Sequence, residues 1–170
     1  MAVRKTAKIC IAGLVLAALS AIAGCVPVEK VRSPSGTTTT VILLRHADRY
    51  GLNLTEEGHV PAAALPAAVA GYDIAVIYSP DKIRNLDTVR PLSKQRGIEI
   101  TVIEVKNVAR RLVHENPGKT VMWVGNADNL HDIYESLGGA DRAPVTYGEL
   151  FILEVPAIGK TTVTKSRFGI

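Results

Sequence analysis

The sequence predicts an α/β domain, a three-layer sandwich with a mainly parallel central sheet, helices on both faces and a C-terminal hairpin. Three observations predict it. Short apolar runs of strand length alternate with longer segments that carry helical periodicity or an alanine-rich face, the pattern of βα units. The run Val41-Ile42-Leu43-Leu44 is aliphatic throughout and bounded by threonines and polar residues, as a buried strand requires. The last two strand-like segments are joined through Pro156-Ala157-Ile158-Gly159, which reads as a hairpin connection.

The 170 residues, 47% hydrophobic and 21% charged, are enough for one globular domain and a short extra segment. That segment is residues 1–24. Arg4, Lys5 and Lys8 open it, and an almost uninterrupted apolar stretch follows from Ile9 to Ile22. This is the form of a secretory signal peptide, short for a transmembrane helix. It ends Ile22-Ala23-Gly24-Cys25, which resembles a bacterial lipobox, so Cys25 is the expected lipidation site. Residues 25–38, rich in Pro, Ser, Gly and Thr, have the composition of a lipidated tether. The domain then spans residues 39–170.

Within it, strands are expected at 39–44, 73–78, 99–105 and 120–124, with helices at 55–70, 83–96, 106–115 and 129–137 between and after them. The terminal hairpin takes 149–155 and 160–165. The first helix carries Pro61 and Pro66, each without a backbone donor, and is expected to break or kink there.

Charge and cysteine content narrow the function. Without Arg4, Lys5 and Lys8, the 20 basic residues fall to 17 against 16 acidic ones, so the processed chain is near neutral. No clustered basic face supports a nucleic-acid partner. Cys10 lies in the leader, which leaves Cys25 as the single cysteine after processing and excludes an intramolecular disulfide or a cysteine metal site. His59, His114 and His131 lack metal-ligand spacing, and no Gly-x-Gly-x-x-Gly, Walker A or Gly-x-Ser-x-Gly pattern is present. Lone Trp123, inside an apolar strand, is most simply core.

Three strand ends carry polar clusters. Arg45-His46 closes the first strand, where open α/β sheets place their ligand crevices. An arginine there can clamp an oxyanion bidentately, and a histidine can act as nucleophile, base or metal ligand. Tyr78-Ser79-Pro80 closes the second, with Arg84 in the first turn of the following helix and Thr88 one turn on. Arg84 could equally pair with Asp81 or Asp87 on the surface. Val124-Gly125-Asn126 ends the strand at 120–124. All three clusters should meet at one edge of the sheet.

These motifs in this order resemble the histidine phosphatase superfamily, the phosphoglycerate-mutase-like fold. Arg45-His46 is similar to its signature, and Leu54-Thr55-Glu56-Glu57-Gly58 to the motif that opens its first helix. Tyr78-Ser79-Pro80 with Arg84 and Thr88 resembles its Ser-Pro-x-x-Arg-x-x-x-Thr segment with one extra residue before Arg84. Arg167-Phe168-Gly169 resembles its terminal Arg-Tyr-Gly. The resemblance implies a phosphohistidine formed on His46 without a metal or other cofactor, with Arg45 and Arg84 binding the phosphoryl oxygens. Asn126 stands where the family has its second histidine. An asparagine amide donates a hydrogen bond but carries no charge, a difference of about 1 to 1.5 kcal/mol or roughly tenfold in rate. Asp48 and Asp128 are the candidate general acids, with Glu104 a further possibility.

Two readings stay open. One is a metal-independent phosphomonoester hydrolase acting through His46 at the cell envelope. The other is a catalytically degenerate family member that binds a phosphorylated ligand or a protein partner there. The implied partners are a phosphorylated small molecule or phosphoprotein, and a membrane reached through the lipid anchor. Val26 after Cys25 leans the location toward the outer membrane rather than the inner one.

Overall fold

The computed structural model describes residues 30–169. The signal peptide, Cys25 and the first part of the expected tether lie outside the described residues. In chain order the elements are β1 (Thr38–Arg45), β2 (Arg49–Tyr50), β3 (Asn53–Leu54), α1 (Glu56–Ala68), β4 (Ile74–Ser79), α2 (Ile83–Arg96), β5 (Ile100–Val102), α3 (Val108–His114), β6 (Thr120–Gly125), α4 (Ala127–Ser136), β7 (Glu149–Pro156) and β8 (Thr162–Arg167). The six-stranded sheet runs β5-β4-β6-β1-β7-β8. Strands β5, β4, β6 and β1 are parallel, and β7 and β8 add to β1 as an antiparallel hairpin. This is the expected α/β architecture, a mostly parallel central sheet with helices on both faces and a C-terminal hairpin.

The pleat of β1 explains its unbroken apolar run. Val41 and Leu43 join Trp123, Leu112, Leu130 and Tyr134 in the core under α3 and α4. Ile42 and Leu44 turn to the opposite core, with Leu65, Val89, Leu92 and Met122 under α1 and α2. A strand covered on both faces has no polar face to show, and all four residues are fully buried. Trp123 is likewise fully buried, and its indole N–H reaches Asn129 Oδ1 at 3.4 Å.

Four sequence expectations shift. Helix α1 runs unbroken through Pro61 and Pro66, both buried. Each proline removes one backbone hydrogen bond, and burial of their rings supplies apolar contact in exchange. Strand β5 and helix α3 are shorter than expected. The short hairpin of β2 and β3 had no periodic signal, since each strand contributes only two residues. Finally, the last part of the expected tether is packed on the domain. Val31 N–H donates to Ser136 O at 2.8 Å. Buried Ser33 donates to Val155 O and accepts from Thr39 N–H.

Candidate active site

The parallel register sets the site. Leu43 pairs with Trp123, Leu44 with Val124 and Arg45 with Gly125, while Tyr78 on β4 also pairs with Trp123. Strands β1, β4 and β6 therefore end level with one another, and the loops and helix starts beyond those ends converge. The His46 N–H continues the ladder to Gly125 O at 3.1 Å.

Two glycines permit this convergence. A Cβ on Gly125 would stand 2.6 Å from Asn129 Oδ1, 2.7 Å from Trp123 Nε1 and 2.8 Å from Leu130 Cγ, so only glycine fits where β6 turns into α4. A Cβ on Gly58 would fall on the backbone carbonyl of Asp48. This is the physical content of Leu54-Thr55-Glu56-Glu57-Gly58: Thr55 caps α1 by accepting from Gly58 N–H, and bare Gly58 lets the loop after His46 lie against the helix start. Asp48 O also accepts from Thr55 N–H at 3.0 Å.

His46 is buried, with 1% of its surface exposed. Its Nδ1 lies 2.7 Å from Ala47 O. A carbonyl can only accept, so Nδ1 carries the proton and Nε2 keeps its lone pair. Burial, and then the positive charges of Arg45, Arg84 and Arg49, lower its pKa from 6.5 to about 4, against an opposing contribution from the Ala47 bond. The ring is thus a neutral nitrogen base in a positive field, a combination suited to attack on an anionic electrophile.

Arg45 donates through Nη1 to Val145 O at 2.8 Å and through Nη2 to the Tyr147 hydroxyl at 3.3 Å. Its guanidinium lies 4.1 Å from the centroid of the Tyr147 ring, a cation–π arrangement. The Tyr147 ring also sits 5.6 Å from the His46 ring. Arg45 Nε is buried without a partner among the described residues. That leaves a donor next to His46 for an incoming oxyanion.

Tyr147 was not foreseen in the sequence, because the 142–148 loop has no periodicity. An ion pair across the base of that loop holds it in place. Arg142 Nη1 and Nη2 donate to Glu149 Oε2 and Oε1 at 2.8 and 2.5 Å, and Thr146 N–H also bonds Glu149 Oε2. The Arg142 hydrogen bond keeps the Glu149 carboxylate below the usual range.

Arg84 does not pair with either neighbouring aspartate; Asp87 is bound by Arg90 instead. Arg84 Nε and Nη2 both donate to Asn126 Oδ1, at 3.1 and 2.8 Å. Since a guanidinium only donates, the amide oxygen must be the atom that faces it. Asn126 thus holds the arginine rather than presenting its oxygen to substrate, and its amide nitrogen is the end left to donate. Asn129 Oδ1 accepts from Asn126 N–H and fixes that residue at the start of α4.

Thr88 joins helix α2 to the histidine loop: its hydroxyl donates to Arg84 O and accepts from Ala47 N–H at 2.9 Å. Buried Asn85 donates to Val124 O at 3.0 Å. Of the acid candidates, Asp48 is half-buried in the His46 loop and Asp128 is exposed in the first turn of α4. Glu104 is exposed beyond β5. None of the three side chains hydrogen-bonds His46, Arg45 or Arg84 among the described residues. The structure therefore gathers Arg45, His46, Arg84, Thr88 and Asn126, adds Tyr147, and leaves the carboxylates unjoined to them.

Residues 36–105 match the model of the histidine phosphatase superfamily, branch 1, a span that contains Arg45, His46 and Arg84. Solved structures share the fold. YhfR of Bacillus stearothermophilus is 19% identical over 74% of this chain and 95% of its own, with a TM-score of 0.57. The mycobacterial glucosyl-3-phosphoglycerate phosphatase in complex with inorganic phosphate is 13% identical, over 77% and 97%, with a TM-score of 0.55. The protein histidine phosphatase SixA complexed with tungstate is 14% identical, over 75% and 96%, with a TM-score of 0.57. No curated protein matches the sequence.

Proposed function

We propose that this chain acts within the histidine phosphatase superfamily, the family supported by its matched segment and its fold, as a metal-independent phosphomonoester hydrolase held at the cell envelope by lipid on Cys25. The observation that carries the reading is the state of His46: buried, neutral, its Nδ1 proton committed to Ala47 O, and flanked by two arginines. Nε2 attacks phosphorus and the bond from phosphorus to the ester oxygen breaks. Asp48 or Asp128 supplies the proton to the departing alcohol. Water then gives a proton back to that carboxylate as it attacks the phosphohistidine, the nitrogen–phosphorus bond breaks, and inorganic phosphate leaves. Arg45 and Arg84 bind the phosphoryl oxygens, where charge builds in the transition state. The substrate class is a phosphorylated small molecule or a phosphoprotein.

One observation favours the second reading, a degenerate binder. The Nε N–H and one Nη2 N–H of Arg84 are already taken by Asn126, so a phosphoryl oxygen must displace the amide or use the remaining Nη1 and Nη2 hydrogens. Asn126 also lacks the charge of a protonated histidine.

The test is transfer of labelled phosphate from a phosphoramidate donor. A hydrolase acquires acid-labile label on His46 that disappears on standing, and the His46→Ala variant acquires none. Wild-type protein that binds phosphate with no covalent label, even after rapid quenching, is the degenerate binder.

A further inference from the structure

A cleft of about 860 Å³ lies away from His46. It opens between the docked segment that starts at Lys30 and helices α3 and α4. Its rim carries Lys30, Arg32 and Arg110 against one carboxylate, Asp132, and its walls include Val31, Val105 and Ile133. That size is ordinary for a small-molecule site.

Arg32 is the informative residue. Its Nη1 is buried and has no hydrogen-bond partner, and its guanidinium makes no ion pair among the described residues. A buried donor left unmade is costly, and more so on a charged group. The backbone on either side is pinned: Val31 N–H to Ser136 O, and Ser33 to Val155 O and Thr39 N–H. Arg32 is therefore held at the cleft by neighbours that leave its Nη1 unmet.

From these features we infer that the cleft is a second oxyanion site, for a phosphate group carried on a partly apolar molecule. The planar guanidinium suits two phosphate oxygens at once, Arg110 adds charge, and the valines and Ile133 face the apolar part. Lys30 contributes less, since its Nζ already donates to Glu135 O. The phosphate could sit on an anionic lipid or on a soluble ester. Lys30 is five residues beyond Cys25, at most about 18 Å of extended chain. If Cys25 is lipidated, as in the proposed function, the cleft lies within reach of headgroups; the oxyanion site itself does not depend on that anchor.

The experiment is an amide NMR titration of the full-length chain in neutral detergent, with inorganic phosphate in one arm and dihexanoyl phosphatidylglycerol in the other. Shifts at Asn107 and Asp132 are expected in at least one arm, and the responding arm identifies the source. Arg32→Gln should weaken those shifts by about tenfold or more while leaving phosphate shifts around His46 and Thr88 unchanged. Without ligand, Arg32→Leu should raise the melting temperature, since it removes an unmet buried donor. Shifts confined to the His46 site in both arms, or equal titration by Arg32→Gln, would overturn the inference and leave the phosphatase reading untouched. A fall in melting temperature for both Arg32 variants would also overturn it, by showing that the guanidinium has an internal partner.

Discussion

The buried neutral state of His46 makes a quantitative demand on stability. Its pKa is about 4 in the folded chain against an ordinary value of 6.5. Above the ordinary value the ring is neutral in both folded and unfolded protein and contributes no pH dependence. As pH falls below that value, the unfolded chain binds a proton that the folded chain refuses, so stability drops until the folded pKa is passed. A separation of that size amounts to about 3 kcal/mol in full, with about 2 kcal/mol already lost near pH 5. For a domain of ordinary stability this is a large fraction of the total.

The perturbation is His46→Asn, whose side-chain amide can replace the Nδ1 donor to Ala47 O but does not titrate. Urea unfolding of both proteins, repeated from about pH 7.5 to pH 4.5, isolates the histidine, because every other titrating group cancels in the difference. Wild type should lose stability faster than the variant across that window, by about 2 kcal/mol at pH 5. Adding Arg84→Gln to wild type should soften the acid loss, since that charge is among the causes of the lowered pKa. Parallel curves for wild type and His46→Asn, agreeing within roughly half a kcal/mol, would refute the claim that His46 is held neutral by burial.

Three further outcomes are expected. Asn126→His should raise phosphomonoester hydrolysis by roughly tenfold or more, on the difference between a charge-assisted and a neutral hydrogen bond, with the gain on the acidic side where the new ring is protonated; adding His46→Ala should erase it, and a steady-state assay at several pH values checks both. Gly58→Ala should cost about 2 kcal/mol or more, because its methyl meets backbone rather than a movable side chain; denaturant unfolding measures this, and an activity loss beyond the stability loss would report displacement of the His46 loop. Cys25→Ser should move the protein from the membrane to the soluble fraction if lipid on Cys25 is the anchor, as proposed above; retention after a high-salt wash would contradict the lipobox reading.

What was legible in the sequence was local. A four-residue aliphatic run with period-two burial on both faces announces a central strand, and Arg45-His46 at its end announces a site, because pleat and strand length are properties of neighbouring residues. Helix α2 was placed to the residue, since its periodicity ends at Gly97 in the left-handed conformation. The alternation of elements sufficed for the mostly parallel sheet.

What the chain order could not reveal depends on strand neighbours. Only the placing of β6 between β4 and β1 brings Asn126 to Arg84, 42 positions away, and turns an expected phosphate donor into the acceptor that holds an arginine. Tyr147 reaches Arg45 across 102 positions because β7 returns antiparallel beside β1. The docking of Val31 and Ser33, and with it the cleft around Arg32, depends on carbonyl acceptors at the ends of α4 and β7, which are brought together only once those elements are assembled. Periodicity and composition report which residues must be buried; which polar groups meet is decided by the order of strands, and that order is a property of the whole packed sheet.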